Sequence, residues 1–251
     1  MSPRKRIGVM IPSTNTTCEA DFQLTVPRDV TIHGQRLWMT NDSNGDDAYV
    51  RMNSEIESGA RYLATANVDV VVYGCTTGSF YKGPGWDIEM LELIRREAKV
   101  PAVATSPSVV EALRFFGARR LSVATPYPEW NNQRLRTYLE AQGFEVLNVD
   151  GEPRAAAAGN QGINDQDPAD VAEFAARICR PEADALLCSC TAWRSVEAIA
   201  AIEARTGKPA VSSNQSTIWT ALRALGITRP ITGFGRLLEH LTPARPAPAA
   251  R

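Results

Sequence analysis

The sequence contains two copies of one strand-like segment, and this internal repeat constrains the fold more than any other feature. Residues 68–76 (VDVVVYGCT) and 183–191 (ADALLCSCT) are both apolar runs that end in a cysteine followed by a threonine. They lie about 115 residues apart in a chain of 251 residues. Self-similarity of this kind indicates a duplicated structural unit.

Further landmarks recur in the same order and at nearly the same offset. Residues 6–12 (RIGVMIP) correspond to residues 120–126 (RLSVATP), and residues 101–103 (PAV) correspond to residues 209–211 (PAV). The last two segments are each followed by an Ala-Leu-Arg triplet and then by a glycine. Chance similarity between apolar strands explains one such match but hardly the series, so we infer that the chain is duplicated.

Each unit alternates short apolar runs with stretches that carry helix signals. Uninterrupted apolar runs are typical of strands that are buried on both faces of a parallel sheet. Helix starts such as Asp167-Pro168 and helix stops such as Gly117 and Gly207 fill the gaps. We therefore predict an α/β fold with two doubly wound lobes, related by a pseudo-twofold axis, each with a mainly parallel sheet flanked by helices.

The repeat also predicts where the lobes begin and end. The first lobe spans residues 1–117 and is completed by a C-terminal helix at residues 217–241, and the second lobe spans residues 118–216. The tail at residues 242–251 is rich in proline and alanine and is predicted to be disordered. Residues 151–168 are predicted to form a loop or lid over the site, or else a solvated linker.

Polar residues follow the ends of the predicted strands, where sheets of this kind place functional groups. They are Ser13, Thr14, Asn15, Cys75, Thr76 and Thr77 in the first lobe, and Tyr127, Cys190 and Thr191 in the second. With pseudo-twofold packing, Cys75 and Cys190 would face each other across one cleft. Two of the other residues also have a purely structural interpretation. Asn15 could simply cap the helix that follows it, and Tyr127 could simply pack in its proline-rich turn.

Cys75 and Cys190 are the candidate catalytic pair among the five cysteines. The alternative for Cys75 is a packing role, since free cysteine is among the most buried residue types. However, Cys75 lies where a strand turns into a helix start, and the N–H groups there are expected to lower its pKa below the usual ~8.5. Cys190 ends the equivalent strand. We interpret Cys18, Cys179 and Cys188 as packing residues.

Composition argues against several other classes of function. Lys plus Arg number 27 and Asp plus Glu number 28, for a formal net charge of -1, so no electrostatic attraction to nucleic acid or to anionic membranes is expected. The sequence shows neither a signal peptide nor an apolar run of membrane-spanning length. An odd number of irregularly spaced cysteines predicts reduced thiols in a cytoplasmic protein. Neither a metal site nor a histidine-based triad is expected, because Cys-x-x-Cys pairs are missing and His33 and His240 are isolated.

These motifs resemble those of the maleate cis-trans isomerase and arylmalonate decarboxylase branch of the aspartate/glutamate racemase superfamily. Residues 12–19 (PSTNTTCE) are similar to the isomerase signature Pro-Ser-x-Asn-x-x-x-Glu, and Tyr127 and Cys190 match residues of the second lobe. Residues 79–83 (SFYKG) are closer to the decarboxylases. Those enzymes carry glycine where this chain has Cys75, and a pair of cysteines implies an isomerase or a racemase.

The resemblance covers roughly residues 7–238, and it implies a cofactor-independent isomerase that converts a small unsaturated dicarboxylate, maleate, to fumarate. It implies that Cys75 adds to the alkene as a nucleophile and that Cys190 supplies and recovers a proton. The substrate-binding residues that it implies are Asn15, Thr76, Thr77, Tyr127, Asn164 and Thr191. We also expect a homodimer or a higher homo-oligomer.

Two alternative functions stay open at this point. A racemase or a decarboxylase that acts at the carbon alpha to a carboxylate would use the same two thiols as opposed acid and base. A binding module without catalysis is the other alternative, because two-lobed α/β folds also sequester small ligands and the fold alone does not fix the function. Selective alkylation of Cys75 and pH-dependent turnover would distinguish an enzyme from a binding module.

Overall fold

The computed structural model describes residues 4–40 and 45–242, which form two four-stranded parallel sheets flanked by helices. The first sheet, in the order β2-β1-β3-β4, consists of β1 (Lys5–Pro12), β2 (Val30–Leu37), β3 (Val70–Tyr73) and β4 (Ala102–Ala104). The second, in the order β6-β5-β7-β8, consists of β5 (Arg120–Thr125), β6 (Glu145–Gly151), β7 (Ala185–Cys188) and β8 (Ala210–Ser212). The second order repeats the first, so the predicted fold class is confirmed.

The pairing register repeats together with the strand order. Ile7 of β1 lies opposite Val70 of β3, and Leu121 of β5 lies opposite Ala185 of β7. The sequence repeat equates Ile7 with Leu121 and Val70 with Ala185. Equivalent residues therefore pair with equivalent residues, and the duplication seen in the sequence is a duplication of the sheet.

Helices connect the strands in both halves. The first half contains α1 (Cys18–Thr25), α2 (Asp46–Asn53), α3 (Ile56–Thr65), α4 (Thr76–Phe80), α5 (Trp86–Ala98) and α6 (Thr105–Phe115). The second half contains α7 (Glu129–Ala141), α8 (Pro153–Asn164), α9 (Pro168–Ile178), α10 (Ile199–Thr206), α11 (Ser213–Ala224) and α12 (Arg236–Glu239). None of the described helices has the length and apolarity needed to cross a bilayer.

Both faces of the first sheet are covered by protein, which explains why its strands are apolar without interruption. Along β3, Val70 and Val72 belong to one core cluster, whereas Val71 and Tyr73 belong to another. All four side chains are fully buried. Successive side chains of a strand point to opposite faces, so this alternation indicates a sheet between two cores.

The two lobes meet along the helices that follow the last strand of each sheet. Helix α11 packs against α6, and it also contacts α1 and the strands β3 and β4. The Thr217 hydroxyl donates to the Thr105 hydroxyl across this junction at 3.3 Å, and the Thr76 hydroxyl donates to that of Ser213 at 3.0 Å. The junction therefore brings the carboxyl ends of the two sheets together.

The segment at 151–168 is mostly helical, so the prediction of a loop was wrong. Helix α8 begins with Pro153, and the Glu152 carboxylate accepts a hydrogen bond from the N–H of Ala155 at 2.7 Å. Gly159, at φ 67°, kinks the helix. This helix is hard to predict because its apolar residues are mainly alanines, which favour a helix without marking a buried face.

The C-terminal region also differs from the prediction. Residues 217–241 contain the end of α11 and the short α12 rather than one helix, and Gly226, at φ 72°, follows the end of α11. Positive φ of this kind is characteristic of glycine after a helix. Of the tail predicted to be disordered at 242–251, all but Thr242 lies outside the described residues. The lobe boundary at residue 117 stays a prediction.

Candidate active site

Cys75 follows β3 and is the N-cap residue of α4. Its Sγ accepts a hydrogen bond from the N–H of Gly78 at 3.4 Å, so the sulfur lies against the N–H groups that begin the helix. A Cβ on residue 78 would lie 2.1 Å from the Tyr73 hydroxyl and 3.1 Å from Cys75 Sγ. Only glycine therefore allows this close approach, and the strand-to-helix turn expected around Cys75 is present.

Cys190 lies two residues beyond the end of β7, in a turn and not at a helix start. Its Sγ accepts a hydrogen bond from the N–H of Ala192 at 3.4 Å. The next helix, α10, begins only at Ile199. The equivalence of Cys190 to Cys75 therefore holds for the strand that precedes each thiol but not for the backbone that follows it.

Both thiols line one cavity of about 100 Å³ between the lobes. Only 6% of Cys75 and 7% of Cys190 is exposed, so most of each residue is covered by protein. Five other predicted site residues lie on the wall: Asn15, Thr76, Thr77, Tyr127 and Thr191. The remaining wall residues are Pro12, Thr14, Met39, Tyr49, Pro128, Trp130, Asn131, Asn160, Ile163 and Ala192. Among the described residues, none that lines the cavity is Lys, Arg, His, Asp or Glu.

Asn15 combines the two roles that the sequence left open, since it caps a helix and also lines the cavity. Its Oδ1 accepts hydrogen bonds from the N–H groups of Thr17 and Cys18, at 3.0 and 2.9 Å. Its Nδ2 donates to Thr191 Oγ1 at 3.0 Å. One hydrogen of the amide nitrogen therefore remains for another acceptor in the cavity.

Tyr127 lines the cavity with its hydroxyl next to Cys190 and Thr76. Its N–H donates to Thr125 Oγ1 at 3.1 Å, and Asn132 Nδ2 donates to its carbonyl at 3.3 Å, which fixes the proline-rich turn. Burial and the neighbouring Cys190 thiol both raise the pKa of the Tyr127 phenol. The phenol therefore stays a neutral hydrogen-bond donor over a wide pH range.

Asn164 does not line the cavity, contrary to the role that was predicted for it. Its Oδ1 accepts hydrogen bonds from the Thr16 N–H and the Thr17 hydroxyl, both at 3.0 Å. Its Nδ2 donates to the carbonyls of Thr14 and Asn160, at 3.0 and 2.8 Å. Because these contacts use every polar atom of the side chain, Asn164 joins α8 to the loop after β1. Asn160, one helical turn earlier, is the amide of α8 that lines the cavity.

Besides Asn160, two further polar residues of the wall, Asn131 and Tyr49, were not predicted from the sequence. Asn131 lies in the first turn of α7, and its Nδ2 donates to Thr77 Oγ1 at 2.9 Å, while its Oδ1 accepts no hydrogen bond from the described residues. Its position one helical turn after Tyr127 was a signal that could have found it. Tyr49 comes from α2, which begins at Asp46, well beyond the end of β2 at Leu37, and no comparable signal in the sequence points to it.

Burial raises the pKa of the Cys75 thiol to about 12 and that of the Cys190 thiol to about 11. The N–H of Gly78 lowers the pKa of Cys75, and that of Ala192 lowers the pKa of Cys190, but burial has the larger effect. A negative charge on Cys190 raises the pKa of Cys75 further. The expected lowering of the thiol pKa was therefore wrong, because the cavity buries the thiols and no cation of the described residues lines it.

A family model described as arylmalonate decarboxylase matches residues 7–238 of the chain. The protein belongs to the arylmalonate decarboxylase family. It is 28% identical to a maleate isomerase of Pseudomonas putida, over 95% of this chain and 99% of that protein. It is 29% identical to the arylmalonate decarboxylase of Bordetella bronchiseptica, over 93% of this chain and 96% of that protein.

Members of the family with solved structures share the fold. The crystal structure of a maleate isomerase variant from Pseudomonas putida S16 with maleate has a TM-score of 0.87 and 26% sequence identity, and the match covers 94% of this chain and 98% of that one. Both activities, isomerisation and decarboxylation, thus occur among the relatives, and the relatives support an isomerase for this chain.

The other three cysteines of this family member lie outside the cavity. Cys18 and Cys188 are fully buried in the core, and burial raises the pKa of both thiols. Cys179 is half-buried and follows α9. Within residues 4–40 and 45–242, no group of three or more His, Cys, Asp or Glu side chains could hold a metal ion. Cys18 and Cys188 belong to the core and Cys179 packs against it, in agreement with the packing role predicted for them.

Proposed function

We propose that the protein is a cofactor-independent cis-trans isomerase that converts a small unsaturated dicarboxylate, maleate, to fumarate. The observation that carries the proposal is that Cys75 and Cys190, from different lobes, line one cavity of about 100 Å³. Pockets for drug-sized ligands measure ~300–1,000 Å³, so this cavity suits a very small substrate. The identity of 28% to a maleate isomerase supports the same reaction.

The reaction begins when the Cys75 thiolate adds to one alkene carbon of maleate. A C–S bond forms, and the electron pair of the double bond moves onto the neighbouring carboxylate as an enediolate. Cys190, on the other side of the cavity, gives its proton to the second alkene carbon. The product of this step is a succinyl thioether of Cys75, whose central C–C bond is single and can rotate.

The reverse sequence releases the product. After rotation, the Cys190 thiolate takes the proton back, the double bond forms again in the trans geometry, and the C–S electron pair returns to Cys75. No atom is gained or lost, and no redox partner is required. The two thiols therefore suffice for the complete cycle.

Neutral donors stabilise the charge that develops in this cycle. The N–H groups of Thr76 and Thr77 are the first two of α4 and have no partner inside that helix, so they can bind the enediolate. Asn15 and Tyr127 supply an amide hydrogen and a phenol to the carboxylates. Such donors stabilise the transition state without binding a dianion as tightly as Lys or Arg would.

The cycle needs one thiolate and one thiol, and the electrostatics of the cavity oppose the ionisation of both thiols at once. A charge on Cys190 raises the pKa of Cys75, so ionisation of one thiol opposes ionisation of the other. Once one proton has left, a second negative charge in the cavity is disfavoured, so the pair carries a single charge. Which residue holds it changes during the cycle.

Proton NMR with maleate as the substrate tests the proposal. We expect fumarate to accumulate without any added cofactor. The same assay with arylmalonates and with amino and hydroxy diacids, run in D₂O, tests the alternative of a decarboxylase or a racemase. Loss of CO₂ or deuterium exchange at an alpha carbon, without fumarate formation, would reject the isomerase.

The alternative is supported by the identity of 29% to an arylmalonate decarboxylase. Against it stands Cys75, since the decarboxylases resembled by this sequence carry glycine at that position. A decarboxylase needs one thiol to protonate a carbanion, whereas covalent isomerisation needs a nucleophile in addition. We therefore give the isomerase precedence.

A further inference from the structure

The turn that carries Cys190 is held by contacts from other elements, because residues 189–198 separate β7 from α10. Thr191, which follows Cys190, has both its hydroxyl and its carbonyl bonded. Thr191 Oγ1 accepts a hydrogen bond from Asn15 Nδ2 at 3.0 Å, and the Thr191 carbonyl accepts one from Asn214 Nδ2 at 2.9 Å. These two contacts fix the turn and, with it, the Cys190 thiol.

Asn214 is in turn held by a buried carboxylate. Its Nδ2 donates to Asp21 Oδ2 at 2.7 Å, and Asp21, on α1, is only 3% exposed. The two hydrogens of the amide nitrogen are thus shared between Asp21 and the Thr191 carbonyl, whereas Asn214 Oδ1 accepts no hydrogen bond from the described residues. The orientation of the amide therefore depends on Asp21 being an acceptor.

We propose that Asp21 and Asn214 are positioning residues for Cys190, and that protonation of Asp21 releases the Thr191 carbonyl and lowers turnover. A neutral carboxyl group can donate its O–H to Asn214 Oδ1 once the amide has turned over. That rotation takes the Nδ2 hydrogens away from Thr191. A carboxylate has no hydrogen to donate, so the ionised form of Asp21 keeps the amide in the orientation that is observed.

The charges around Asp21 set the pH at which the change occurs. Burial raises the pKa of Asp21 to about 7; the hydrogen bond from Asn214 and the positive charge of Arg194 lower it, and the negative charge of Glu197 raises it. Asp21, Arg194 and Glu197 line a surface groove of about 280 Å³, outside the cavity. Within residues 4–40 and 45–242, the other titratable groups that face Asp21 or line the groove are Cys18 on α1 and Asp165 after α8.

Arg194 and Glu197 offer a test that leaves the cavity intact. They pair with each other at 2.9 Å and have opposite effects on the pKa of Asp21. Glu197→Gln is expected to shift the acid-side midpoint of the kcat profile to lower pH by ~0.3–0.7 unit, and Arg194→Gln to higher pH by a similar amount. Coincident profiles, or shifts in one direction for both variants, would overturn the proposal. A purely structural effect of losing the ion pair would shift both profiles in the same direction.

Asp21→Asn tests the titrating group directly. We expect the acid-side midpoint of the kcat profile, near neutral pH, to disappear and kcat to fall at every pH. An amide at position 21 can bond to Asn214 in either orientation of the Asn214 side chain, so the orientation that holds the Thr191 carbonyl is no longer favoured. Asp170→Asn is the matched control: Asp170 pairs with Arg154 at the surface, at 3.2 Å, and its variant is expected to keep the wild-type profile. A midpoint retained in Asp21→Asn would assign the titration to another group.

The proposal rests on a role of Cys190 in the proposed function, so a second measurement separates the two. The rate at which iodoacetamide alkylates Cys190 is followed by mass spectrometry in the Cys75→Ser variant, between pH 5.5 and 9. We expect a step in this rate that moves down in pH with Glu197→Gln and up with Arg194→Gln. A moving step in the variant, combined with no turnover of any diacid by the wild-type protein, would reject the isomerase alone. An alkylation rate without this step would reject the positioning role.

Discussion

The amide of Asn15 and the hydroxyl of Thr191 are joined by a hydrogen bond of 3.0 Å that crosses from the first lobe to the second at the wall of the cavity. The carbonyl oxygen of the same amide accepts two N–H groups at the start of α1. One side chain thus fixes a helix start in one lobe and the residue after Cys190 in the other. This contact therefore links the loop after β1 to the residue beside Cys190.

Asn15→Asp separates the capping role of Asn15 from its role in the cavity. The variant keeps oxygen acceptors for α1, and a carboxylate at a helix N-terminus is favourable, so we expect the melting temperature to change by less than ~5 °C. The donor to Thr191 is lost and a negative charge faces a dianionic substrate, so KM for maleate is expected to rise ~10-fold or more. Asn15→Ala, which removes both roles, is expected to lower stability as well. An unchanged KM in Asn15→Asp would show that the amide does not contact substrate.

Substitution of the two thiols tests the proposed roles of Cys75 as the nucleophile and of Cys190 as the proton donor and acceptor. Cys75→Ser is expected to abolish isomerisation while the circular dichroism spectrum stays native, because serine is a far weaker nucleophile at neutral pH. Cys190→Ser is expected to reduce kcat by ~10²–10⁴-fold, the usual contribution of a positioned acid or base. Cys179→Ser, outside the cavity, serves as the control and should retain activity. Full activity in Cys75→Ser would remove the proposed nucleophile.

The repeat made the fold predictable, since apolar runs and their bounding glycines depend only on local sequence. Cys75 and Cys190 were predictable for the same reason: each follows the end of a strand, and parallel strands place those ends together. Asn15 and Tyr127 could be named in the same way. Strand ends do not predict a residue such as Tyr49, because it reaches the cavity from a helix that is packed there by tertiary contacts.

Two further features could not be predicted from the sequence: the pKa values of the thiols in the cavity, and which residue of α8 lines that cavity. A helix start predicts a lower thiol pKa, but only the packed cavity shows that burial raises the pKa of Cys75 instead. Asn160 and Asn164 lie one turn apart on α8, so both project from similar faces of the helix. Asn164 is bonded to the loop after β1, and Asn160 is the one that lines the cavity.

Gly78→Ala tests the close approach at Cys75. The added Cβ would lie 2.1 Å from the Tyr73 hydroxyl and 2.8 Å from the Met52 side chain, so either the helix start or the tyrosine must move. We expect a loss of ~1–3 kcal/mol in the free energy of unfolding, measured with urea, and a fall in kcat that is larger than that of Gly8→Ala. Gly8→Ala is the comparison because the three atoms nearest to its Cβ all belong to the side chain of Leu63, the closest at 3.0 Å. Equal activity of both variants would contradict a precise placement of Cys75.

The raised pKa values of the two thiols predict that the protein loses stability at alkaline pH. In the unfolded chain a thiol ionises near ~8.5, whereas the folded protein keeps the protons of Cys190 and Cys75 up to about 11 and about 12. Between these values the folded state binds more protons than the unfolded state, so the free energy of unfolding decreases as pH rises. The contribution of each thiol to the free energy of unfolding is complete below its pKa in the unfolded chain and is lost as pH rises through its pKa in the folded protein.

Urea unfolding at pH 7.5, 9 and 10 measures this slope, and the variant with both Cys75→Ser and Cys190→Ser provides the reference. Each thiol adds at most ~1.4 kcal/mol per pH unit, so the double variant is expected to lose stability less steeply than the wild type above pH 9. Cys18 and Cys188 keep their own raised pKa values in both proteins and account for part of the slope that remains. Cys179→Ser is expected to change the slope less, since Cys179 is only half-buried. Parallel curves for the wild type and the double variant would mean that the cavity does not hold its thiols in the neutral form.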